Sequence, residues 1–178
     1  MINKNNELQN KIAKESIFTA LMILMEKKAF LDISITEITK KAGVSRMAFY
    51  RNYNVKEDII SSYLAEFFDA YSKEILSNEE ISNYEGICFY FAYFRKHEKF
   101  ITNLINSKLT YLLLESSSEC LHAFSKNFTY DKSYSPETEA FNNEFIAGGF
   151  FNVLMKWAIT GMKESDENMA TILCEYCM

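Results

Sequence analysis

Proline and glycine are scarce in this sequence, with one proline and five glycines among 178 residues. Because β-sandwiches and barrels need turn residues every few positions, this scarcity argues against an all-β fold and favours long helices. Hydrophobic residues make up 48% of the chain, so it can bury a core and is not a disordered tail. We therefore predict an all-α fold.

Long apolar runs are also missing. The longest, residues 87–94, falls far short of the roughly 20 residues that a membrane-spanning helix needs. The first nine residues are polar and lack the apolar stretch of a signal peptide. We expect a cytoplasmic protein with no membrane partner.

Histidine is scarce as well. His97 and His122 are the two histidines, and neither belongs to a nucleophile, metal or phosphate-binding motif. Cys174 and Cys177 form a Cys-x-x-Cys pair, but no second pair completes a tetrahedral zinc site. We predict no catalytic activity, no metal, no cofactor and free thiols, with a redox role for the cysteine pair as the alternative.

Charge is distributed unevenly, although the net charge is −5. Residues 1–60 hold ten Lys/Arg against seven Asp/Glu, whereas the remaining residues hold nine against seventeen. A basic front end on an acidic body is typical of a DNA-binding module joined to a domain that does not touch DNA.

Apolar residues at three- and four-residue spacing predict helices along most of the chain. In the first helix, expected from about residue 8 to residue 28, Ile12, Ile17, Leu21 and Leu24 form one stripe. Longer helices are also expected near 56–76, 84–95, 98–105, 108–129, 136–161 and 165–176.

Two short helices between residues 34 and 52 have dense start and stop signals. Ser34, followed three residues later by Glu37, is a capping box that predicts a helix start. Gly43 suits the left-handed conformation at the end of that helix, and Ser45 is an N-cap for a second helix of about two turns. Two short helices joined by such a turn form a helix-turn-helix.

The ordered string from Ser34 to Ile60 closely resembles the DNA-binding signature of TetR-family (TetR/AcrR-like) regulators. It reads Ser-Ile-Thr-Glu-Ile-Thr-Lys-Lys-Ala-Gly-Val-Ser-Arg-Met-Ala-Phe-Tyr-Arg-Asn-Tyr-Asn-Val-Lys-Glu-Asp-Ile-Ile. The resemblance implies an N-terminal three-helix DNA-binding domain at 1–55 and a C-terminal helical ligand-binding and dimerisation domain at 56–178.

The resemblance also implies roles for individual residues. Arg46, Met47 and Ala48 correspond to base-reading positions, where arginine suits guanine O6 and N7 and the others suit a thymine methyl. The other residues expected to contact DNA, mainly its phosphates, are Ser34, Thr36, Ser45, Tyr50, Arg51, Asn52 and Lys56. Core positions of the module are expected to be Ile38, Val44, Phe49 and Tyr53.

The string departs from the family pattern at four positions. Thr39 stands where alanine is usual, Val55 where a small polar cap is usual, Asn54 where proline is common and Asn52 where histidine is common. We expect these changes to loosen the start of the fourth helix and to leave the fold intact.

Aromatic residues crowd residues 81–157, where most belong to a helical core. Their density also suits an apolar ligand, and in TetR-like proteins the inducer usually lies beside the helix that follows the DNA-binding module. The predicted pocket residues are Tyr63, Phe67, Tyr90, Tyr93, Phe94, Leu113, Phe145 and Gly149.

The last two helices fall where the family builds a four-helix dimer interface. The predicted interface residues are Phe151, Met155, Ile159, Met169, Ile172 and Leu173. A dimer also suits the DNA argument, because two recognition helices must enter successive major grooves about 34 Å apart.

The sequence thus predicts a ligand-responsive repressor that binds a palindromic double-stranded DNA operator as a homodimer. A small apolar or aromatic effector is expected to release it. The alternative is a coactivator of the same fold that binds a protein partner instead of an operator.

Overall fold

The computed structural model describes residues 2–77, 81–125 and 135–177, and every regular element in these ranges is helical. The α-helices are α1 (Ile2–Met25), α2 (Ile35–Ala42), α3 (Arg46–Tyr50), α4 (Glu57–Leu76), α5 (Asn83–Lys96), α6 (Glu98–Asn106), α7 (Thr110–Ser125), α8 (Pro136–Ile159) and α9 (Asp166–Cys177). A short 3₁₀ turn at Phe30–Asp32 joins α1 to α2. The prediction of an all-α fold is confirmed.

Local capping signals explain where several helices begin and end. The Ser82 and Glu85 side chains form a second capping box at the start of α5. Ser135 caps α8, whose first residue is Pro136, as the sequence predicts. Gly161, with φ of +86°, follows the end of α8. Of the predicted helix 108–129, the last four residues lie outside the described residues.

The core is continuous along the molecule. Helix α1 packs on α2, α3, α4 and α6, α4 packs on α5 and α7, α5 packs on α9, and α8 packs on α6 and α7. The largest fully buried side chains are Trp157, Phe49, Phe91, Phe94, Ile17, Leu21, Ile33, Ile38, Ile59, Ile60, Leu64 and Ile101. Full burial of one such side chain contributes about 1.5–3 kcal/mol, so this core is the main source of stability.

Stacked aromatic rings join α1 to the later helices. Phe18 of α1 lies parallel to Tyr63 of α4, with ring centroids 3.8 Å apart, and Phe100 of α6 contacts both rings. Helix α4 is therefore in direct contact with both the N-terminal helix and the C-terminal half of the chain.

Arg95 holds the segment between α8 and α9 against α5. Its guanidinium donates to the Asp166 carboxylate at 2.9 Å and to the backbone carbonyls of Met162 and Glu164 at 2.8 and 2.6 Å. The same group lies 4.6 Å from the centre of the Trp157 ring, and the Trp157 N–H also donates to the Glu164 carbonyl. These contacts fix α9 relative to α8. None of the described helices is long and apolar enough to cross a membrane.

Candidate nucleic-acid interface

The first short helix, α2, begins at a complete capping box. The Ser34 hydroxyl accepts from the Glu37 backbone N–H at 3.2 Å, and the Glu37 carboxylate accepts from the Ser34 N–H at 2.9 Å. The same carboxylate accepts from the Lys28 ammonium at 2.6 Å. These donors, Lys28 first and then Ser34, lower the pKa of Glu37 to about 2, so the box stays charged above that pH.

The turn and the second short helix, α3, follow the predicted pattern. Gly43 has φ of +69°, a left-handed conformation that residues with a side chain rarely adopt. The Ser45 hydroxyl accepts from the Ala48 N–H at 3.1 Å and so caps α3. Behind α3, Phe49 and Tyr53 are buried against Ile38, which confirms their expected core positions. Val44 is half-buried against the same core.

The outer face of α3 presents polar and long side chains to solvent. Arg46, Tyr50 and Arg51 are exposed, and Met47 is 76% exposed despite being apolar. The Arg46 guanidinium lies 5.8 Å from the centre of the Tyr50 ring and donates to its hydroxyl at 3.4 Å. This contact holds the arginine along the exposed face of the helix.

The remaining predicted DNA residues differ in how free their polar groups are. Thr36 is exposed on α2, whereas Ala48 is half-buried. The Asn52 amide donates to the Ala48 carbonyl at 2.9 Å. The Ser34 hydroxyl donates to Glu37 at 2.7 Å, and all three donors of the Lys56 ammonium point to backbone carbonyls.

The departures from the family pattern are accommodated inside the module. Thr39 is buried and its hydroxyl donates to the Thr36 carbonyl at 3.1 Å. Just before α4, the Asp58 carboxylate accepts from the backbone N–H groups of Asn54 and Val55 at 2.7 and 3.1 Å. No side chain caps the first turn of α4 itself, and the loosening of this helix start stays a prediction.

The structure brings together six of the eight predicted pocket residues, and it packs them tightly. Phe67 contacts Tyr63, Tyr93 and Phe94 edge-on or tilted, with centroids 4.8–6.4 Å apart. The Tyr93 hydroxyl donates to the Phe67 carbonyl at 2.9 Å. Tyr90 adjoins Phe94, and Leu113 is fully buried. These residues form core rather than the walls of an open space.

Phe145 and Gly149 do not join that group. Phe145 is 80% exposed on the outer face of α8, and Gly149 is exposed one turn further along the same face. A groove of about 450 Å³ lies elsewhere, between α4 and α7. Its lining is Leu64, Ala65, Phe68, Asp69, Ser72, Leu76, Ser116, Glu119, Cys120 and Ala123. Sequence reasoning missed this groove, since its lining mixes apolar side chains with polar and acidic ones.

The six predicted dimer residues fall into two sets. Ile159 is 68% exposed and Ile172 is 37% exposed, so both are available to a partner. Met169 and Leu173 are buried, and Phe151 and Met155 are half-buried against the core. Met169 and Leu173 are covered within the chain because α9 packs on α5 through the side that carries them.

Exposed aromatic residues on α8 were missed as interface candidates. Phe141 is 79% exposed, and with Phe145 and Ile159 it lies on one face at helical spacing. An ideal Cβ on Gly148 or Gly149 would meet no atom within 4 Å, so packing within the chain does not require either glycine. The i, i+4 spacing of the two phenylalanines was the signal available in the sequence. We use the name α8–α9 face for two sets of exposed residues, Phe141, Phe145, Gly149 and Ile159 of α8 and Ile172 of α9.

Each of the two histidines contacts a side chain of another helix. His97 Nδ1 lies 3.5 Å from the Tyr63 hydroxyl, and burial lowers the pKa of His97. His122 Nε2 lies 3.1 Å from the Glu144 carboxylate. Cys88, Cys120 and Cys174 are free thiols, whereas the side chain of Cys177 lies outside the described residues. Among the described residues no cluster of His, Cys, Asp or Glu could hold a metal ion.

The fold and the helix-turn-helix together define a class of protein, the helical transcription regulators with an N-terminal reading module. A family model of the TetR type, described as "Transcriptional regulator C-terminal region", matches residues 82–178, more than half of the chain. The chain belongs to the TetR family of transcriptional regulators. A search of curated proteins finds no match.

Solved structures share this fold at low sequence identity. The protein Lin0861 from Listeria innocua is 15% identical, with a TM-score of 0.80 over 96% of this chain and 91% of that one. A TetR transcriptional regulator from Streptococcus agalactiae is 18% identical, with a TM-score of 0.66 over 96% of each chain. The fatty acid degradation regulator FadR from Bacillus halodurans is 16% identical, with a TM-score of 0.59 over 92% of this chain and 93% of that one.

Proposed function

We propose that this regulator binds a palindromic DNA operator as a homodimer and that a small apolar or aromatic effector releases it. The observation that carries the DNA-binding part is the outer face of α3, where Arg46, Met47, Tyr50 and Arg51 are all exposed. Buried Phe49 and the Ser45 cap fix this helix against the module, so these side chains extend from a rigid support.

The α8–α9 face supports the homodimer part of the proposal. Single exposed apolar residues are ordinary, but two phenylalanines about 80% exposed one helical turn apart are typical of an interface. Gly149 lies on the same face and has open space above it, which leaves room for a helix of a second copy to approach closely. In a two-fold dimer each copy contributes the same face.

The groove between α4 and α7 supports the effector part of the proposal. Leu64, Phe68 and Leu76 give it an apolar lining, and Ser72 and Ser116 supply hydroxyls. Helix α4 starts at the reading module and also lines the groove. A ligand that binds one orientation of α4 more tightly would shift the population and lower DNA affinity by that difference.

Selection of duplexes from a random library tests the operator part. We expect enrichment of a palindrome whose half-sites are centred about one helical turn apart, because each copy inserts one α3 into a major groove. Enrichment of a sequence without two-fold symmetry, or no enrichment, would contradict the proposal. The latter outcome would favour the protein-partner alternative.

Filling the groove tests the effector part. We expect Ser116→Phe to weaken binding of Nile red, a neutral apolar fluorophore, because the larger side chain fills part of the groove. Glu115→Phe is the matched control, since Glu115 is exposed on the same helix but does not line the groove. Equal dye binding by both variants would place the ligand site elsewhere.

A further inference from the structure

Lys56 makes an unusual set of contacts for a residue expected to bind DNA phosphate. Its ammonium donates to the backbone carbonyls of Phe30, Leu31 and Ile33 at 2.6, 3.1 and 2.9 Å. The ammonium also lies 4.5 Å from the centre of the Phe30 ring, and the Phe30 side chain is buried. We name these four residues the Lys56 clasp.

The number of N–H donors on the Lys56 ammonium determines whether it can also bind a phosphate. A lysine ammonium has three N–H donors, and each of the three points to a different carbonyl oxygen. A phosphate oxygen would have to displace one of them. Leu31 and Ile33 flank the end of the 3₁₀ turn, where carbonyl groups lack helical partners and favour a cation.

The position of Lys56 at the start of α4 also favours a role within the module. Lys56 is the N-cap of α4, a place where Ser, Thr, Asp or Asn is preferred and where a positive charge opposes the helix dipole. Its own side chain makes no capping hydrogen bond. A lysine at this position therefore contributes nothing to the start of the helix, and its contacts lie across the module.

The clasp closes the base of the reading unit. Ile33 directly precedes the Ser34 cap of α2, and Lys56 directly precedes α4, so the two ends of the segment 34–55 meet at the ammonium. That segment contains α2, the turn and α3. The clasp thus joins the start of α4 to the segment that leads into α2.

We infer that Lys56 is a positioning residue, which orients the reading unit on α4 and makes no phosphate contact. This inference rests on the proposed DNA-binding function. In the proposed function, an effector shifts α4. The three carbonyl contacts of Lys56 would then carry that shift from α4 to the reading unit, and a single substitution can remove all three.

Lys56→Met tests the inference, because it removes the ammonium and keeps most of the stem. We expect the DNA-free protein to melt several degrees lower, since three carbonyls lose a charged donor. Operator affinity should fall roughly tenfold, the equivalent of about 1.4 kcal/mol, with the slope of log affinity against log salt unchanged. Lys163→Met, at an exposed lysine between α8 and α9, should change neither quantity.

The salt slope separates a positioning residue from a contact. Loss of one phosphate contact per half-site would reduce the slope by about 0.9 each, or about 1.8 for a dimer. A reduction of that size, or an unchanged melting temperature, would overturn the inference. If Lys56→Met fails to fold, Lys56→Gln is read by the same criteria, since its amide keeps at most two donors.

Failure of the proposed DNA binding can be distinguished from failure of the Lys56 clasp. If wild type enriches no duplex, DNA binding is refuted and the melting temperatures alone decide about the clasp. A lower melting temperature for Lys56→Met than for Lys163→Met would then still support it, and equal values would overturn it.

Discussion

Phe145→Glu is expected to convert the proposed dimer into monomers at micromolar concentration. The side chain is 80% exposed in the single chain, so the substitution leaves the fold of that chain intact. In a two-fold dimer both copies lose a buried phenyl group, about 1.5–3 kcal/mol each, which raises the dissociation constant by at least about a hundredfold. Light scattering after size exclusion measures the outcome.

Tyr111→Glu is the matched control for this substitution. Tyr111 is 55% exposed and belongs to α7, not to the α8–α9 face, so the control changes an exposed aromatic residue in the same way. We expect the control to remain dimeric and to melt as wild type does. A wild-type monomer, or a Phe145→Glu variant that stays dimeric, would contradict the proposed interface.

Arg46→Ala is expected to relax operator specificity at one base pair in each half-site. A bidentate contact between arginine and guanine discriminates against the wrong base by about 1–3 kcal/mol, and a dimer makes two such contacts. Affinity for the selected duplex should therefore fall by tenfold or more, while duplexes altered at that base pair should lose little. Competition titrations on single-base-pair variants measure this pattern.

Lys163→Ala controls for the loss of one positive charge. Lys163 is exposed between α8 and α9 and lies far from α3 in the sequence, so only long-range electrostatics can change. We expect it to keep the base preference of wild type. An Arg46→Ala variant with unchanged preference at every position would show that Arg46 does not read a base.

The reading module could be predicted from sequence because its signals are local. The Ser34–Glu37 box, Gly43 and the Ser45 cap each act within a few residues, and each appears in the structure as predicted. Local signals also place the buried Phe49 correctly. Non-local contacts were not predictable in this way, because the Lys56 clasp joins residues 23–26 positions apart.

The C-terminal half illustrates why helix faces are harder to assign than helices. Apolar residues occur on nearly every side of α8, so periodicity could not separate buried Trp157 from exposed Phe145. The structure makes that separation through the packing of α8 on α6 and α7. Because apolar residues occur on nearly every side of α8, the sequence prediction placed Phe145 in a pocket and did not assign Phe141.

If two copies of α3 read one operator together, binding must depend on the spacing between the half-sites. Wild type would be titrated by fluorescence anisotropy against the selected duplex and against the same duplex with five base pairs inserted between its half-sites. Five base pairs rotate one half-site by about half a helical turn, so only one α3 could then reach its groove. We predict tight, salt-dependent binding of two protomers to the first duplex and loss of that binding on the second. Equal, weak binding to both duplexes would contradict operator reading by a dimer and would favour a protein partner instead.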